Sequence, residues 1–229
     1  MPHTYVIGDI HGAFMALEQC LQRANFQYDT DHLICLGDIC DGWPDTRKCV
    51  DELLKIKNLT YIIGNHDVWF MAWLKSNTVE DLWIKQGGEA TLISYQDGIP
   101  STHKEFFDTA VYYFISNNRL FVHAGFDPGI SMLEQTIRTL TWDRTLIQKA
   151  WELLIHEVKT KLTPFDEVYL GHTPIPFHRP IESCNIWMMD TGAGWSGVLS
   201  MMDINTKQVF TSDAVLSLYP GVEGRIKKH

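Results

Sequence analysis

The sequence predicts an α/β protein, a four-layer αββα sandwich of two mixed β-sheets flanked by helices. Two observations predict it. The first third alternates short apolar runs with stretches of helical periodicity, and that alternation gives parallel strands joined by right-handed crossovers. The last third holds short apolar runs divided by turns, which favours antiparallel pairing. A length of 229 residues fits one large domain with a sizeable core, so residues 1–229 are read as a single domain.

The elements follow in order. Residues 4–7 read as a strand, and Gly8-Asp9-Ile10-His11-Gly12 as the loop after it. Residues 14–24 place Phe14, Leu17, Cys20 and Leu21 at helical spacing. A second strand over 32–36 ends in Gly37-Asp38, and a helix over 45–57 turns Val50, Leu53 and Leu54 inward. A third strand over 59–63 ends in Gly64-Asn65-His66-Asp67. Residues 68–107, rich in tryptophan, read as a helical insertion in position to cap a cleft. Strands are expected at 110–115 and 120–123, then a long helix over 144–162. Further strands are expected at 167–171, 186–190, 197–203 and 208–211, the last three as an antiparallel meander.

Composition narrows the function. The formal net charge is −9 and no basic run precedes the tail Arg225, Lys227, Lys228, read as a solvated terminus; a nucleic-acid partner is therefore not expected. Five cysteines without a CxxC pair point to free thiols in a reducing compartment. No signal peptide is read at the start and no apolar run reaches membrane-spanning length. The expected location is the cytoplasm, with no membrane partner.

One pattern carries the chemistry. An apolar strand runs into glycine and then into Asp, Asn or His at Gly8-Asp9-Ile10-His11, Gly37-Asp38, Gly64-Asn65-His66 and Gly171-His172; Phe121-Val122-His123 lacks only the glycine. Ligands of α/β sheets bind beyond the carboxyl ends of the strands, so five strand ends deliver these side chains to one rim. Carboxylate and imidazole donors suit manganese, iron or zinc. Two cations need a bridging oxygen, which a carboxylate supplies and an imidazole cannot. Asp38 is the natural bridge, with Asp9 and His11 completing one ligand set and Asn65, His123 and His172 the other. Such a pair makes hydroxide available near neutral pH and neutralises phosphoryl oxygens during in-line attack. His66 is placed to protonate the leaving alkoxide, and Asp41 to hold His66 through one ring nitrogen.

Together, Gly8-Asp9-Ile10-His11-Gly12, Gly37-Asp38-Ile39-Cys40-Asp41, Gly64-Asn65-His66-Asp67, His123 and Gly171-His172-Thr173 resemble the ordered signature of the calcineurin-like metallophosphoesterases. The resemblance is strongest to the phosphoprotein phosphatase branch, which includes bacterial and phage Ser/Thr phosphatases and symmetrical diadenosine tetraphosphatases. Gly87-Gly88-Glu89-Ala90-Thr91, Trp142-Asp143-Arg144 and Asp190-Thr191-Gly192-Ala193 resemble that branch as well. The resemblance implies a phosphatase with two metal ions, manganese before iron or zinc. It implies Asp9, His11, Asp38, Asn65, His123 and His172 as ligands, and His66 with Asp41 as the proton donor pair. Arg144, with Asn65, is implied in gripping the substrate phosphate.

The sequence also departs from that branch. Gly42-Trp43 stand where the branch has Arg-Gly after its Asp, and Asp67 stands where it has Glu. Arg47 or Lys48 is one candidate replacement for the missing arginine, and Trp43 is a candidate platform for an aromatic or nucleobase leaving group. Three readings compete: a Ser/Thr-type phosphomonoesterase acting on phosphoproteins and small phosphoesters, a symmetrical dinucleoside polyphosphate hydrolase, and a catalytically inactive binding scaffold. The oligomeric state is not legible.

Overall fold

The computed structural model describes residues 2–225. The elements are β1 (Thr4–Ile7), α1 (Phe14–Arg23), β2 (His32–Cys35), α2 (Thr46–Leu53), β3 (Asn58–Tyr61) and α3 (Asn65–Ser76). A short helix α4 (Asp81–Trp83), a π-helical turn (Ile84–Gly88), α5 (Glu89–Ser94) and α6 (Ser101–Asp108) follow. Then come β4 (Tyr113–Ser116), β5 (Arg119–Val122), a 3-10 turn (Met132–Glu134), α7 (Ile137–Trp142) and α8 (Thr145–Ile155). The chain continues as β6 (Glu167–Leu170), β7 (Ile181–Ser183), β8 (Ile186–Met188), β9 (Ser200–Asp203), β10 (Val209–Thr211) and α9 (Val215–Leu218).

Two five-stranded mixed sheets form, in the orders β10-β9-β1-β2-β3 and β4-β5-β6-β8-β7. Within the first, β1 pairs in parallel with β2 and β2 with β3. Within the second, β5, β6 and β8 are parallel neighbours. Strand alternation separates the layers. Tyr5, Ile7, Leu33 and Cys35 face α1 and α2, whereas Val6 and Ile34 face the other sheet and meet Phe121 and Tyr169 there. Leu120, Val122, Val168 and Leu170 turn outward onto Ile147 and Ala150 of α8. Helix, sheet, sheet, helix is the layer order expected from the sequence.

Several expected elements fall differently. The expected 110–115 strand splits: Val111 bridges to Ile62 at the edge of the first sheet, and β4 then opens the second. The long helix stops at Ile155, where Glu157 adopts φ 55° and the Val158 amide closes onto the Leu153 carbonyl, a left-handed helix stop. The expected three-strand meander is not formed. β8 lies in the second sheet, paired with β6 and with the unforeseen β7, whereas β9 and β10 pair in the first sheet beside β1. The β7–β8 turn is set by Cys184 at φ 59°, and Asn185 donates to Thr163 and Phe165; neither residue advertises a tight hairpin.

The 68–107 segment holds the rest of α3, α4, the π-helical turn, α5 and most of α6. All five cysteines are free, and among the described residues no helix is long and apolar enough to cross a membrane. Lys227, Lys228 and His229 lie outside the described residues.

Candidate metal centre

Every residue expected to carry chemistry at a strand end lies just past the C-terminal end of a strand. β1 leads to Asp9 and His11, β2 to Asp38 and Asp41, and β3 to Asn65 and His66; β5 leads to His123 and β6 to His172. These side chains are buried and converge where the two sheets meet. His11, Asp38 and His66 present ligand atoms within 4.8 Å of one another, and so do Asp38, His123 and His172. Asp38 belongs to both groups. Its Oδ2 lies 3.6 Å from His11 Nε2 and 3.4 Å from His123 Nε2. Asn65 Oδ1 is 3.1 Å from His123 Nε2. Asp9 stands beside the two groups, with both carboxylate oxygens accepting the His172 amide, at 3.1 and 2.9 Å.

The local backbone is built for this convergence. His11, Asp38, Asp41 and His172 all sit at positive φ, between 48° and 74°, a region that Asp and His tolerate better than bulky residues. Two glycines permit close approach of carboxylates. A Cβ at Gly64 would lie 2.0 Å from Asp38 Oδ1, and one at Gly171 would lie 2.2 Å from Asp9 Oδ1. Asp67 ties the N-terminal turn of α3 to the β2 loop: its carboxylate accepts the amides of Gly64, Ile39 and Cys40.

Outer contacts orient the rings. His11 Nδ1 lies 3.1 Å from the Cys40 carbonyl, and His123 Nδ1 lies 2.8 Å from the Leu36 carbonyl. Each fixes Nδ1 as the donor and turns Nε2 into the cluster, as expected for imidazoles poised toward a cation. His172 Nε2 is buried with no hydrogen-bond partner. Such an orphaned ring nitrogen beside buried carboxylates fits a site for metal ions. His66 Nδ1 is 2.6 Å from Asp41 Oδ2, and Asp41 also accepts from Trp83 Nε1 and Thr91 Oγ1.

Electrostatics follow from burying so many ionisable groups. Burial disfavours the charged Asp38 carboxylate, but His123, His66 and His11 outweigh it and hold the group well below the usual carboxylate range. Burial likewise opposes a charge on His123, yet Asp38 and then Asp9 raise it to about 10. Asp9 is pushed up by burial and by Asp190. Burial and neighbouring cations hold His11 and His172 low, His172 at about 2. The opposed shifts of Asp38 and His123 follow from their mutual attraction across 3.4 Å.

Other expectations fare unevenly. Arg144 begins α8 and is exposed, close enough to His172 to disfavour a charge there. Trp43 is not a substrate platform: it is fully buried, donates to the Ala193 carbonyl and stacks on Tyr219. Trp69 instead packs edge-on against His66 and Trp142, and Trp142 against His172. Lys48 is exposed and paired with Asp45, and Arg47 is half-buried, its amide donating to Ser94 Oγ. Arg225 is not a solvated tail residue: Nη1 lies 3.0 Å from His11 Nε2 and Nη2 donates to Gln86. Sequence reasoning gave no site role to Asp190, Trp83, Thr91 or Arg225. Asp190 follows β8 as His172 follows β6, but without an apolar-run-to-glycine signal; the others meet the site only through tertiary packing.

The similarities to known proteins agree with this geometry. The calcineurin-like phosphoesterase family model matches residues 2–197. Serine/threonine-protein phosphatase 1 of Salmonella typhimurium is 24% identical over 210 residues, covering 88% of this chain and 92% of that protein. The symmetrical bis(5'-nucleosyl)-tetraphosphatase of Vibrio campbellii is 37% identical over 73 residues, covering 30% of this chain and only 26% of that protein. A solved structure provisionally named a diadenosine tetraphosphatase superposes with a TM-score of 0.70 at 18% identity, covering 92% of this chain and 95% of its own. A Saccharomyces cerevisiae protein serine/threonine phosphatase superposes at 0.64 with 14% identity, covering 99% and 84%. With the family match spanning most of its length and the donor clusters meeting at the joined strand ends, the chain is a member of the calcineurin-like phosphoesterase family and a metallophosphoesterase enzyme.

Proposed function

We propose that the chain hydrolyses phosphate monoesters, as a Ser/Thr-type protein phosphatase. The observation that carries this reading is the sharing of Asp38 between the His11 and His123–His172 groups, the arrangement a two-cation phosphoesterase needs. Asp9, His11 and Asp38 would hold one cation, and Asp38, Asn65, His123 and His172 the other. Manganese is the first candidate, with iron and zinc next. When bound, the cations supply a hydroxide nucleophile near neutral pH and offset charge on the phosphoryl group.

The remaining chemistry belongs to the chain. Asp41 accepts from His66 Nδ1 and so leaves Nε2 facing the cleft. His66 donates a proton from that nitrogen to the departing alkoxide. Arg144 and the Asn65 amide bind phosphoryl oxygens and align the ester for displacement. The 68–107 segment forms one wall: Trp83 and Thr91 fix Asp41, and Trp69 flanks His66. Five free thiols suit a reducing, cytoplasmic setting.

The Salmonella relative supports the protein phosphatase reading because the similarity runs through nearly the whole chain. The half-buried Trp69–Trp142 pair supports the second reading, a symmetrical dinucleoside polyphosphate hydrolase, since it offers aromatic surface beside the ligands. A Mn²⁺-supplemented panel of p-nitrophenyl phosphate, phosphoserine and phosphothreonine peptides and diadenosine tetraphosphate separates them. Turnover of the phosphopeptides is expected; turnover of the dinucleotide alone overturns the phosphatase assignment. Absence of any hydrolysis would favour the inactive scaffold.

A further inference from the structure

The segment after α9 returns to the candidate ligands. Tyr219 stacks on Trp43 with ring centroids 5.0 Å apart, and Gly224 sits so close to that indole that a Cβ there would lie 2.7 Å from its Cζ2. Arg225 then enters beside His11. Its guanidinium lies 4.6 Å over the Trp195 ring, Nη2 donates to Gln86 Oε1 at 3.1 Å, and Nη1 stands 3.0 Å from His11 Nε2. The room it occupies is made by Gly42 and Gly87, where an added Cβ would lie 3.2 and 3.0 Å from the Arg225 Cγ. The two glycines are joined by a backbone hydrogen bond from the Gly42 amide to the Gly87 carbonyl. Gln86 and Trp195, neither a ligand candidate, hold the guanidinium in place, so its position does not depend on His11 alone.

Two features give this guanidinium a ligand. Arg225 Nε is buried and has no hydrogen-bond partner. In addition, Nη1 faces the one nitrogen of His11 that a cation would claim. Once His11 commits that lone pair to a cation, Nη1 loses its acceptor and faces a like charge, an arrangement that calls for an anion between them. A phosphoryl oxygen meets both needs, because a guanidinium presents donors in a planar fork matched to phosphate.

We propose that Arg225 is a phosphate-binding residue of the cleft: it approaches the substrate phosphoryl group from the His11 side, with Arg144 on the His172 side, and occupies the ground that Gly42 leaves free. The assignment rests on the phosphoesterase reading of the site. It makes the segment following α9 part of the substrate pocket and ties phosphate affinity to the seating of that segment on Trp43.

The test is binding of inorganic phosphate to the Mn²⁺-loaded protein by calorimetry, with Mn²⁺ affinity measured alongside, for wild type, R225A and R225K. The expected result is phosphate affinity lowered about 10- to 100-fold in R225A, as for loss of charge-assisted hydrogen bonds, with R225K between the two because a lysine keeps the charge and loses the fork. Mn²⁺ affinity should be unchanged or tighter. Equal phosphate affinity in all three proteins overturns the role of Arg225 and leaves the phosphoesterase reading standing. Tighter phosphate binding in R225A also overturns it and marks the residue as a plug over the site. A wild-type protein that binds Mn²⁺ but no phosphate overturns both.

Discussion

Thr91→Val tests whether the helical segment truly anchors the proton donor. The Thr91 hydroxyl is fully buried, donates to Asp41 Oδ1 at 2.7 Å and accepts the Asp41 amide at 2.8 Å. Valine keeps the shape and removes both bonds, together with the 3.4 Å contact to the Thr46 hydroxyl. The Asp41 carboxylate retains His66 and Trp83 as donors, but its amide is left buried and unpaired. One lost bond to a charged group and one orphaned amide together cost about 2.5–6 kcal/mol. For a chain of this length, about 3 kcal/mol lowers Tm by about 6–12 °C. Scanning calorimetry or a thermal melt, run with chelator and again with Mn²⁺, measures this directly. Thr91→Ser is the control, since it keeps the hydroxyl and should lose only about 1 kcal/mol for the missing methyl. A valine variant that melts within about 1 °C of wild type would refute the claim that this hydroxyl holds Asp41. Hydrolysis of an alkyl phosphate should slow more than that of p-nitrophenyl phosphate, whose leaving group needs little protonation.

Four further outcomes are expected. Asp38→Asn should abolish hydrolysis and weaken Mn²⁺ binding at both sites; calorimetric stoichiometry would expose an intact pair. His66→Asn should retain Mn²⁺ and slow alkyl phosphate hydrolysis by about 10²–10⁴, a role lost if steady-state rates match wild type. Arg144→Ala should chiefly raise KM, as for lost ground-state binding; a fall in kcat at constant KM would point elsewhere. Glu167 gives a pH signature. Burial raises its carboxyl, but Lys207, Tyr169 and Arg119 outweigh that and hold it below its usual value of 4.5. Its contribution is therefore complete above that value and fades as pH falls through the folded-state value. Denaturant titrations should show wild type losing more stability than Glu167→Gln between about pH 5 and about pH 3; parallel curves would contradict this.

The parts of the fold legible in sequence were those with a local cause. A strand that runs into Gly-Asp, Gly-Asn or Gly-His announces both its end and its side chain, so Asp9, Asp38, Asn65 and His172 could be placed on one rim from the sequence. The partition of the closing strands was not legible. Ile186–Met188 and Ser200–Asp203 look alike as short apolar runs, and only tertiary pairing sends them to different sheets. Trp43 misled because its neighbours in the chain are site residues, whereas its indole points away to Tyr219 and Ala193. Arg225 misled in the opposite sense: a basic residue in a polar stretch reads as solvated, and nothing within a few positions reveals that Gly42 and Gly87, far away in sequence, have cleared a berth for its side chain.

The first donor group comes wholly from the first sheet, whereas the second is split across the join between the sheets. The first sheet sends Asp9, His11, Asp38 and Asn65, and the second sends His123 and His172. Neither sheet alone can assemble the full set, so capture of the second cation is coupled to the docking of the two halves. Bound ions would then act as rivets through that seam, stabilising the docked state by mass action. Chelation would accordingly slacken the junction first, freeing strand tips on both sides while the Val6–Ile34–Phe121–Tyr169 interior still clasps the halves together.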